Sequence, residues 1–291
     1  MCARSWNRRD LRTVAERMHQ IQSFFAASVL VGLIAAPARP SQRTGAGPEA
    51  SQLTSVRRTP NEELTAEEIF QKLLDHNRRR EARLQGYSEV RTYVVTNRNG
   101  EVHAEETVRM EYRAPDTKSF ATIREEGSRF IRGRVFKGLM DSEVEAAAGR
   151  SHRDSSITPT NYVFYPRGIE DTEECQCFVV QAVPRRKDKY LFEGTIWIDA
   201  HDFAIVKIAG HPARNPSFWI KRADFVRSYQ KIGEFWLPLK DQTSVEVRIF
   251  GDKEFTIDHS HYVIDGAETS GSHVHGAAQG GAAFGARNGS D

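Results

Sequence analysis

Two short clusters of Asp and His residues are the strongest candidates for chemistry in this sequence. The first, "DAHD", places Asp199, His201 and Asp202 within four positions, a set that could bind a metal ion or move a proton. It lies between the strand-like runs "GTIWI" and "FAIVKI". Because Asp tolerates turn conformations and its carboxylate accepts hydrogen bonds from nearby backbone amides, a hairpin turn explains these residues without catalysis. We interpret "DAHD" as a turn.

The second cluster, "DHSHY", contains His259 and His261. Alternate residues of a regular strand point to the same face, so both imidazoles could ligate one metal ion. They would share that face with Phe255, Ile257 and Val263. The sequence offers no third ligand, and two hydrogen-bonded strand histidines explain the pattern without a metal. We therefore expect no metal or other cofactor and keep the pair only as weak metal candidates.

The common catalytic motifs are missing from the sequence. It has no G-x-S-x-G, H-E-x-x-H, Walker or G-x-G-x-x-G pattern. The acidic pairs Glu125–Glu126 and Glu173–Glu174 are of a kind that is common on protein surfaces. We expect a binding protein and not an enzyme, with a metal-dependent enzyme built around His259 and His261 as the alternative.

Cys175 and Cys177 form a "CQC" pair. Residues i and i+2 of a strand lie about 6.5 Å apart, near the upper limit for a disulfide, so a bridge would require a local bulge or turn. An oxidising compartment permits such a bridge. Two free thiols fit the sequence equally well.

The middle of the chain has the alternation of half-buried antiparallel strands. Apolar residues at Val102, Ala104, Val108, Met110 and Tyr112 alternate with polar ones, and Glu106 alone interrupts the apolar face. Six further strand-like runs follow in the second half: "CFVVQAVPR", "YLFEGTIWID", "FAIVKIAG", "SFWIKRADFVRSYQ", "EFWLPLKDQTSVEVRIF" and "EFTIDHSHYVI". Short turn-like separators predict sequential hairpins. The fold class we expect is mainly β (α+β): a curved antiparallel incomplete barrel of roughly ten strands with a few covering helices.

Helical spacing marks "LTAEEIFQKLLDHNRRREARL" as the first helix. Thr65 and Glu68 form a capping-box pattern at its start. One face carries an apolar stripe: Ala66, Ile69, Phe70, Leu73 and Leu74.

Three segments between the first helix and the second half of the chain have other patterns. "KSFATIREEGSRFIRGRVF" predicts a hairpin that turns at Glu126–Gly127, and "KGLMDSEVEAAAG" predicts a short helix that Gly149 ends. Residues 150–168 predict a long polar loop.

The two ends of the chain differ from this middle. Five arginines precede the apolar run "FFAASVLVGLIAAPA", which ends in an A-x-A site, so residues 1–38 predict a signal peptide and a periplasmic protein. A retained N-terminal anchor is the alternative. Residues 39–61 predict a flexible tether, residues 62–266 the folded domain, and residues 267–291 a disordered Gly/Ala-rich tail.

The net charge argues against nucleic acid as a partner. The chain has a formal net charge of +2, but residues 1–38 hold five of the 41 basic and two of the 39 acidic residues. The remainder has 36 basic and 37 acidic residues, a net charge near −1. A nearly neutral mature chain gives no reason to expect nucleic-acid binding.

The stretch from "FEGTIWIDAHDFAIVKIAG" to "YQKIGEFWLPLKDQTSVEVRIFGDKEFTIDHSHY" resembles the LolA/LolB-like family of bacterial outer-membrane lipoprotein carriers. The resemblance covers about a quarter of the chain. It rests on "G-x-I-W-I-D" followed by "I-V-K-I", on "Y-x-K-I-G-x-F-W-L-P", and on a closing strand that ends in Tyr. The matching residues are Gly194, Trp197, Asp199, Val206, Lys207, Tyr229, Gly233, Trp236, Pro238 and Tyr262.

The resemblance implies an incomplete barrel with helices as a lid over an apolar cavity that receives acyl chains. It implies a lipid or an acylated lipoprotein as the ligand, an envelope protein as a possible partner, transient membrane contact and a monomer. The candidate lining residues are Ile69, Phe70, Leu73, Leu74, Val102, Met110, Tyr112, Trp197, Trp219, Phe225 and Trp236. An envelope interaction module without a ligand is the alternative, since the same residues would also serve as an ordinary core.

Overall fold

The computed structural model of the protein describes residues 64–149, 155–172, 175–215, 218, 220–248 and 251–265. The predicted signal peptide, tether and tail lie outside these residues, as do Trp219 and residues 150–154.

The described chain is mostly β-structure with two principal helices. The strands are β1 (Gly86–Asn97), β2 (Val102–Arg113), β3 (Thr117–Gly127), β4 (Tyr162–Asp171), β5 (Gln176–Pro184), β6 (Phe192–Asp199), β7 (Ile205–Pro212), β8 (Ile220–Ile232), β9 (Phe235–Val247) and β10 (Gly251–Ile264). The helices are α1 (Ala66–Arg83), a short α2 (Arg129–Ile131) that continues through a π-helical segment (Arg132–Phe136), and α3 (Lys137–Ala147).

All ten strands form one antiparallel sheet. Their spatial order is β3-β2-β1-β10-β9-β8-β7-β6-β5-β4. The last strand of the chain, β10, therefore pairs with the first, β1. Strands β3 and β4 form the edges and do not pair with each other in the described part of the chain, so the sheet is open. This confirms the predicted mainly-β fold with an incomplete barrel.

The sheet curves around its helices. One apolar cluster contains Val108 of β2 and Phe164 of β4, although seven strands separate these two in the sheet order. The same cluster contains Phe70 of α1 and Leu139 of α3. Side chains from opposite ends of a sheet can meet the same helices only if the sheet bends, so we call the helix-covered side the concave face.

Helix α1 begins as the sequence predicts. The Thr65 hydroxyl accepts a hydrogen bond from the Glu68 amide at 3.3 Å, and the Glu68 carboxylate accepts one from the Thr65 amide at 3.0 Å. The predicted stripe faces the sheet, with Ile69, Phe70 and Leu73 buried. Phe70 stacks on Phe164 with ring centroids 3.6 Å apart, which fixes the helix against β4.

The predicted hairpin at Glu126–Gly127 is wrong, because the chain turns into helix instead. Gly127 adopts a φ of +73°, and the Ser128 hydroxyl then accepts a hydrogen bond from the Ile131 amide, which starts α2. The residues after it bury apolar side chains at helical spacing, among them Phe136 and Leu139. The predicted helix in the next segment is confirmed as α3.

The predicted loop over residues 150–168 is wrong in its second half. Residues from Tyr162 onward form β4 and pair with β5 from Tyr162–Pro184 to Asp171–Gln176. Tyr162 and Phe164 are buried, an alternation that a solvated loop would not show.

Candidate functional site

Strand β1 turns its charged residues toward the concave face. Tyr87, Glu89, Arg91 and Tyr93 are buried, while the residues between them are half-buried on the other face. Because strand side chains alternate, this one row places a carboxylate and a guanidinium between two tyrosines. An isolated buried charge costs several kcal/mol, so these groups need partners.

The partners form a row of ionisable side chains across the concave face, which we call the charged row. In spatial order it comprises Arg227, Asp241, His259, Glu89, Arg91, Glu143 and Lys118. No side chain in it is more than 11% exposed. Acidic groups alternate with basic ones along its length, so each carboxylate lies between two groups that carry or can take a positive charge.

The half of the charged row nearest α3 has close contacts. The Arg91 Nε donates to Glu89 at 2.7 Å, and its Nη1 lies 2.9 and 3.0 Å from the two carboxylate oxygens of Glu143. The Lys118 Nζ donates to Glu143 at 2.9 Å. Glu143 belongs to α3, Arg91 to β1 and Lys118 to β3, so one carboxylate ties the helix to two strands.

The other half of the charged row centres on His259. Its Nδ1 lies 2.8 Å from a Glu89 oxygen, and its Nε2 lies 3.5 Å from Asp241, which in turn pairs with Arg227. The Nε2 is too far from Asp241 for a standard hydrogen bond and has no other hydrogen-bond partner among the described residues. Both ring nitrogens face carboxylates, an arrangement that suits an imidazolium because it donates from both nitrogens.

The protonation of the charged row follows from these contacts. Burial would raise the pKa of Glu89, but Arg91 and His259 outweigh it and lower that pKa to about 2. Burial likewise opposes ionisation of Glu143 and Asp241, yet their cationic neighbours lower both pKa values. Burial would lower the pKa of His259, but Glu89 and Asp241 raise it above its ordinary value. These groups therefore favour their charged forms.

Two apolar clusters lie along the concave face. The larger, first cluster packs beneath α1 and α3. The second cluster consists of Tyr87, Met110, Tyr112, Phe235 and Leu237. Phe120 packs against both, and the Arg91 guanidinium lies over its ring at 5.4 Å from the centroid. An apolar surface therefore continues past the charged row.

A small open pocket adjoins the second cluster. It lies where the end of α1 meets the β8–β9 hairpin, and Tyr229, Phe235, Trp236 and Leu237 line its sheet side. Its volume is about 80 Å³. Pockets for drug-sized ligands typically measure about 300–1,000 Å³, so this one admits only part of such a molecule.

The predicted lining residues divide by face. Ile69, Phe70, Leu73, Met110, Tyr112 and Phe225 are buried, and Leu74 and Trp236 are half-buried against the first cluster. Val102 is 51% exposed. Trp197 lies on the face opposite its buried neighbours Ile196 and Ile198, beneath Lys207, and donates from Nε1 to Glu170 at 2.9 Å.

The prediction that His259 and His261 share a face is wrong. His261 adopts a φ of +53°, and the β1–β10 register shifts between Ser88 and Val90. This bulge reverses the alternation, so His259 is buried while His261 and Val263 are exposed. The two imidazoles therefore cannot ligate one ion in this arrangement.

The "DAHD" segment is the turn between β6 and β7, as predicted. One Asp199 oxygen accepts hydrogen bonds from the amides of His201 and Asp202. The Asp202 carboxylate accepts from Trp236 Nε1 at 2.9 Å and pairs with Lys231. The three side chains could approach one metal ion, but these contacts already give the carboxylates a structural role.

Cys175 and Cys177 are joined by a disulfide, which decides between the alternatives left open by the sequence. Their Cα atoms are 5.8 Å apart, within the usual range. The turn that a bridge requires is present, because the Cys175 amide donates to the Thr172 hydroxyl at 3.1 Å.

Comparison with known proteins gives matches among solved structures only. No protein-family model and no curated protein matches the chain. A domain from Vibrio parahaemolyticus, provisionally named as an outer membrane lipoprotein-sorting protein, is 14% identical with a TM-score of 0.40, covering 69% of this chain and 95% of its own. A LolA superfamily protein from Nitrosomonas europaea is 9% identical with a TM-score of 0.33, covering 71% and 96%.

A third match is the complex of MucA and MucB from Pseudomonas aeruginosa, at 10% identity and a TM-score of 0.26, covering 67% of this chain and 93% of the other. At these scores the matches carry no inference about ligands.

Among the described residues, no helix is long and apolar enough to cross a membrane.

Sequence reasoning missed most of the charged row. Glu89 and Arg91 stand in "GYSEVRTYVV", where Val90 and Val94 look like the buried set. The available signal was that Tyr87 and Tyr93 stand at alternate positions with Glu89 and Arg91, so that all four side chains point to one face of a strand. Glu143 and Lys118 gave no signal, because their contact joins segments 25 positions apart.

Proposed function

We propose that the protein is a periplasmic carrier or sensor that binds an acyl chain of a lipid or lipoprotein on the concave face. The observation that carries this proposal is the open sheet with helices covering one side. The helices contact the sheet through side chains and do not take part in its strand ladder. They can separate from it without breaking strand pairing, and the side chains that pack with the α1 stripe are apolar.

A whole chain does not fit the pocket of about 80 Å³, so binding there requires the helices to move. Burying a methylene is favourable by about 0.8 kcal/mol, so a dodecyl chain gains about 9 kcal/mol. The α1 stripe has four buried side chains, of which all but Ala66 are large. Exposing each of the large ones to water costs about 1.5–3 kcal/mol. The two totals are of the same order, so a chain of this length can replace α1 on the sheet.

We propose a lining drawn from the predicted residues that face inward. On the helix these are Ile69, Phe70, Leu73 and Leu74, and on the sheet Met110, Tyr112, Phe225 and Trp236. Val102 and Trp197 are left out because they lie on exposed or outward positions. The apolar leader in the sequence supports the periplasmic location, and an envelope protein remains a proposed partner.

Native mass spectrometry of the exported protein tests this function. We expect a co-purifying acyl chain, and Trp236→Asp should abolish it because a carboxylate would enter the apolar lining. Trp197→Asp is the matched control, since that side chain lies on the other face. Empty wild-type protein, or equal loss in both variants of equal stability, would contradict the proposal.

A second candidate is an envelope interaction module without a ligand. The observation that favours it is that side chains of the protein itself fill the concave face beneath α1 and α3. In that case the wild-type protein stays empty in the same experiment, even when acyl chains are supplied in excess.

A further inference from the structure

The Glu143 carboxylate occupies a cationic site in the wall of the concave face. Arg91 and Lys118 approach it from two strands at 2.9–3.0 Å, and all three side chains are at most 6% exposed. One guanidinium nitrogen lies between the two carboxylate oxygens, and an ammonium group donates to one of them. Such charge-assisted contacts are those with which proteins bind carboxylates. Here the bound carboxylate belongs to helix α3.

Movement of α3 would leave this site without its anion. Arg91 would keep Glu89 as a partner, but Lys118 would lose the carboxylate with which it pairs. Lys118 lies on the edge strand β3, so movement of α3 would also open its ammonium group to water. A ligand that covered this point again would desolvate the cation, at a cost of several kcal/mol unless the ligand supplied an anion. An opened molecule therefore favours a ligand that brings its own negative oxygen atoms to this point.

Apolar side chains border the site beside its charged neighbours. The ring of Phe120 lies beneath the Arg91 guanidinium and contacts both apolar clusters. Met140 lies one turn before Glu143 on α3 and is buried. A group bound at Arg91 and Lys118 would therefore have an apolar path leading away from it.

We propose that Arg91 and Lys118 bind the carboxylate head of a fatty acid whose chain lies along the concave face, and that Glu143 takes the place of that head in the closed molecule. The inference rests on the proposed function and adds the class of ligand to it. The head fixes the orientation of the ligand, since only one end of the chain can reach the paired cations.

Calorimetric titration with dodecanoic acid and with dodecanol near neutral pH separates the contribution of the head from that of the chain. We expect the wild-type protein to bind the acid at least tenfold more tightly than the alcohol. Lys118→Met should remove most of this preference and still fold, because Arg91 continues to pair with Glu143. Lys207→Met is the matched control, because Lys207 is an exposed lysine over Trp197, and this variant should keep the preference for the acid.

Glu143→Gln provides a second measurement. Loss of the internal carboxylate should strengthen binding of the acid more than binding of the alcohol, because the competing charge is gone. Sodium acetate at the same concentration as dodecanoic acid should not displace it, because acetate lacks the chain.

The outcomes separate the two proposals. If acid and alcohol bind equally to the wild-type protein, or Lys118→Met keeps the full preference, the head site is overturned and the acyl-chain function stands. Displacement by acetate also overturns the inference, since the site would then bind a small anion alone. If neither ligand binds, both proposals fail.

Discussion

At the scale of residues, the concave face is organised around matched charges. Glu89 lies between Arg91 and His259, and Asp241 lies between His259 and Arg227. Breaking one buried pair costs far more than an exposed pair contributes, because the remaining charge stays desolvated. The network therefore fixes which side chains lie together under the helices.

Replacing Arg91 tests this at one position. Arg91→Met leaves the carboxylates of Glu89 and Glu143 short of a partner, and we expect a loss of about 3–5 kcal/mol in the free energy of unfolding. Arg109→Met on β2 is the control, because Arg109 is exposed and should change stability by less than about 0.5 kcal/mol. Urea denaturation measures both. A loss below 1 kcal/mol for Arg91→Met would mean that the pairs are not close in solution.

His259 gives the molecule a predictable pH dependence. Its folded pKa is raised, so protonation stabilises the fold fully below the unfolded pKa of about 6.5. That contribution is lost as the pH rises through the folded pKa. We expect the free energy of unfolding to fall from about pH 6.5 upward, and to fall less steeply in His259→Gln.

His261→Gln is the matched control for this prediction. His261 is two positions away and exposed, so its variant should follow the wild-type curve. Identical curves for wild type and His259→Gln would show that the imidazole is not held between the two carboxylates.

The residue scale also shows where sequence reasoning fails. The H-x-H pattern predicts two imidazoles on one face, but a bulge of one residue reverses the alternation at His261. "DAHD" was predictable because the hydrogen bonds of Asp199 are local. Contacts between distant segments, such as Glu143 with Lys118, leave no local pattern.

At the scale of elements, α1 and α3 cover different parts of the sheet. Phe70 of α1 stacks on Phe164 of β4, whereas Phe136, just before α3, contacts Tyr93 of β1 and Phe255 of β10. We therefore expect the helices to separate from the sheet one at a time. Of the two helices, only α3 contributes a residue, Glu143, to the charged row. We therefore expect movement of α3, but not movement of α1, to depend on pH and on the charge of the ligand.

Phe70→Ala tests whether α1 opens separately. The lost packing is worth about 3–5 kcal/mol. We expect it to appear as faster hydrogen exchange of the α1 amides, with protection of β8–β10 retained. Gln71→Ala, on the exposed side of the same turn, should leave both unchanged. Equal loss of protection in helix and sheet would contradict a separable helix.

Elements were predictable where their signals are local. The capping box and apolar stripe of α1, and the alternation of β2, predicted both elements and their buried faces. The helix after β3 was missed because Gly127 resembles a hairpin turn while the burial of Phe136 and Leu139 depends on the sheet. β4 was missed because its second half is exposed at an edge.

At the scale of the whole molecule, the decisive feature is an antiparallel sheet that bends without closing. Its order was predictable in outline, because successive hairpins join most neighbours. The pairing of β1 with β10 was not, since it joins the two ends of the domain. That pairing brings Glu89 to His259 and so creates the charged row.

Titration of the folded protein with dodecanol, followed by native mass spectrometry and hydrogen exchange, tests most directly whether the concave face accepts a chain. An uncharged head keeps the result independent of Arg91 and Lys118. We predict one chain bound per molecule, with faster exchange in α1 and unchanged protection in β8–β10. A protein that stays folded and empty in saturating dodecanol would contradict the account.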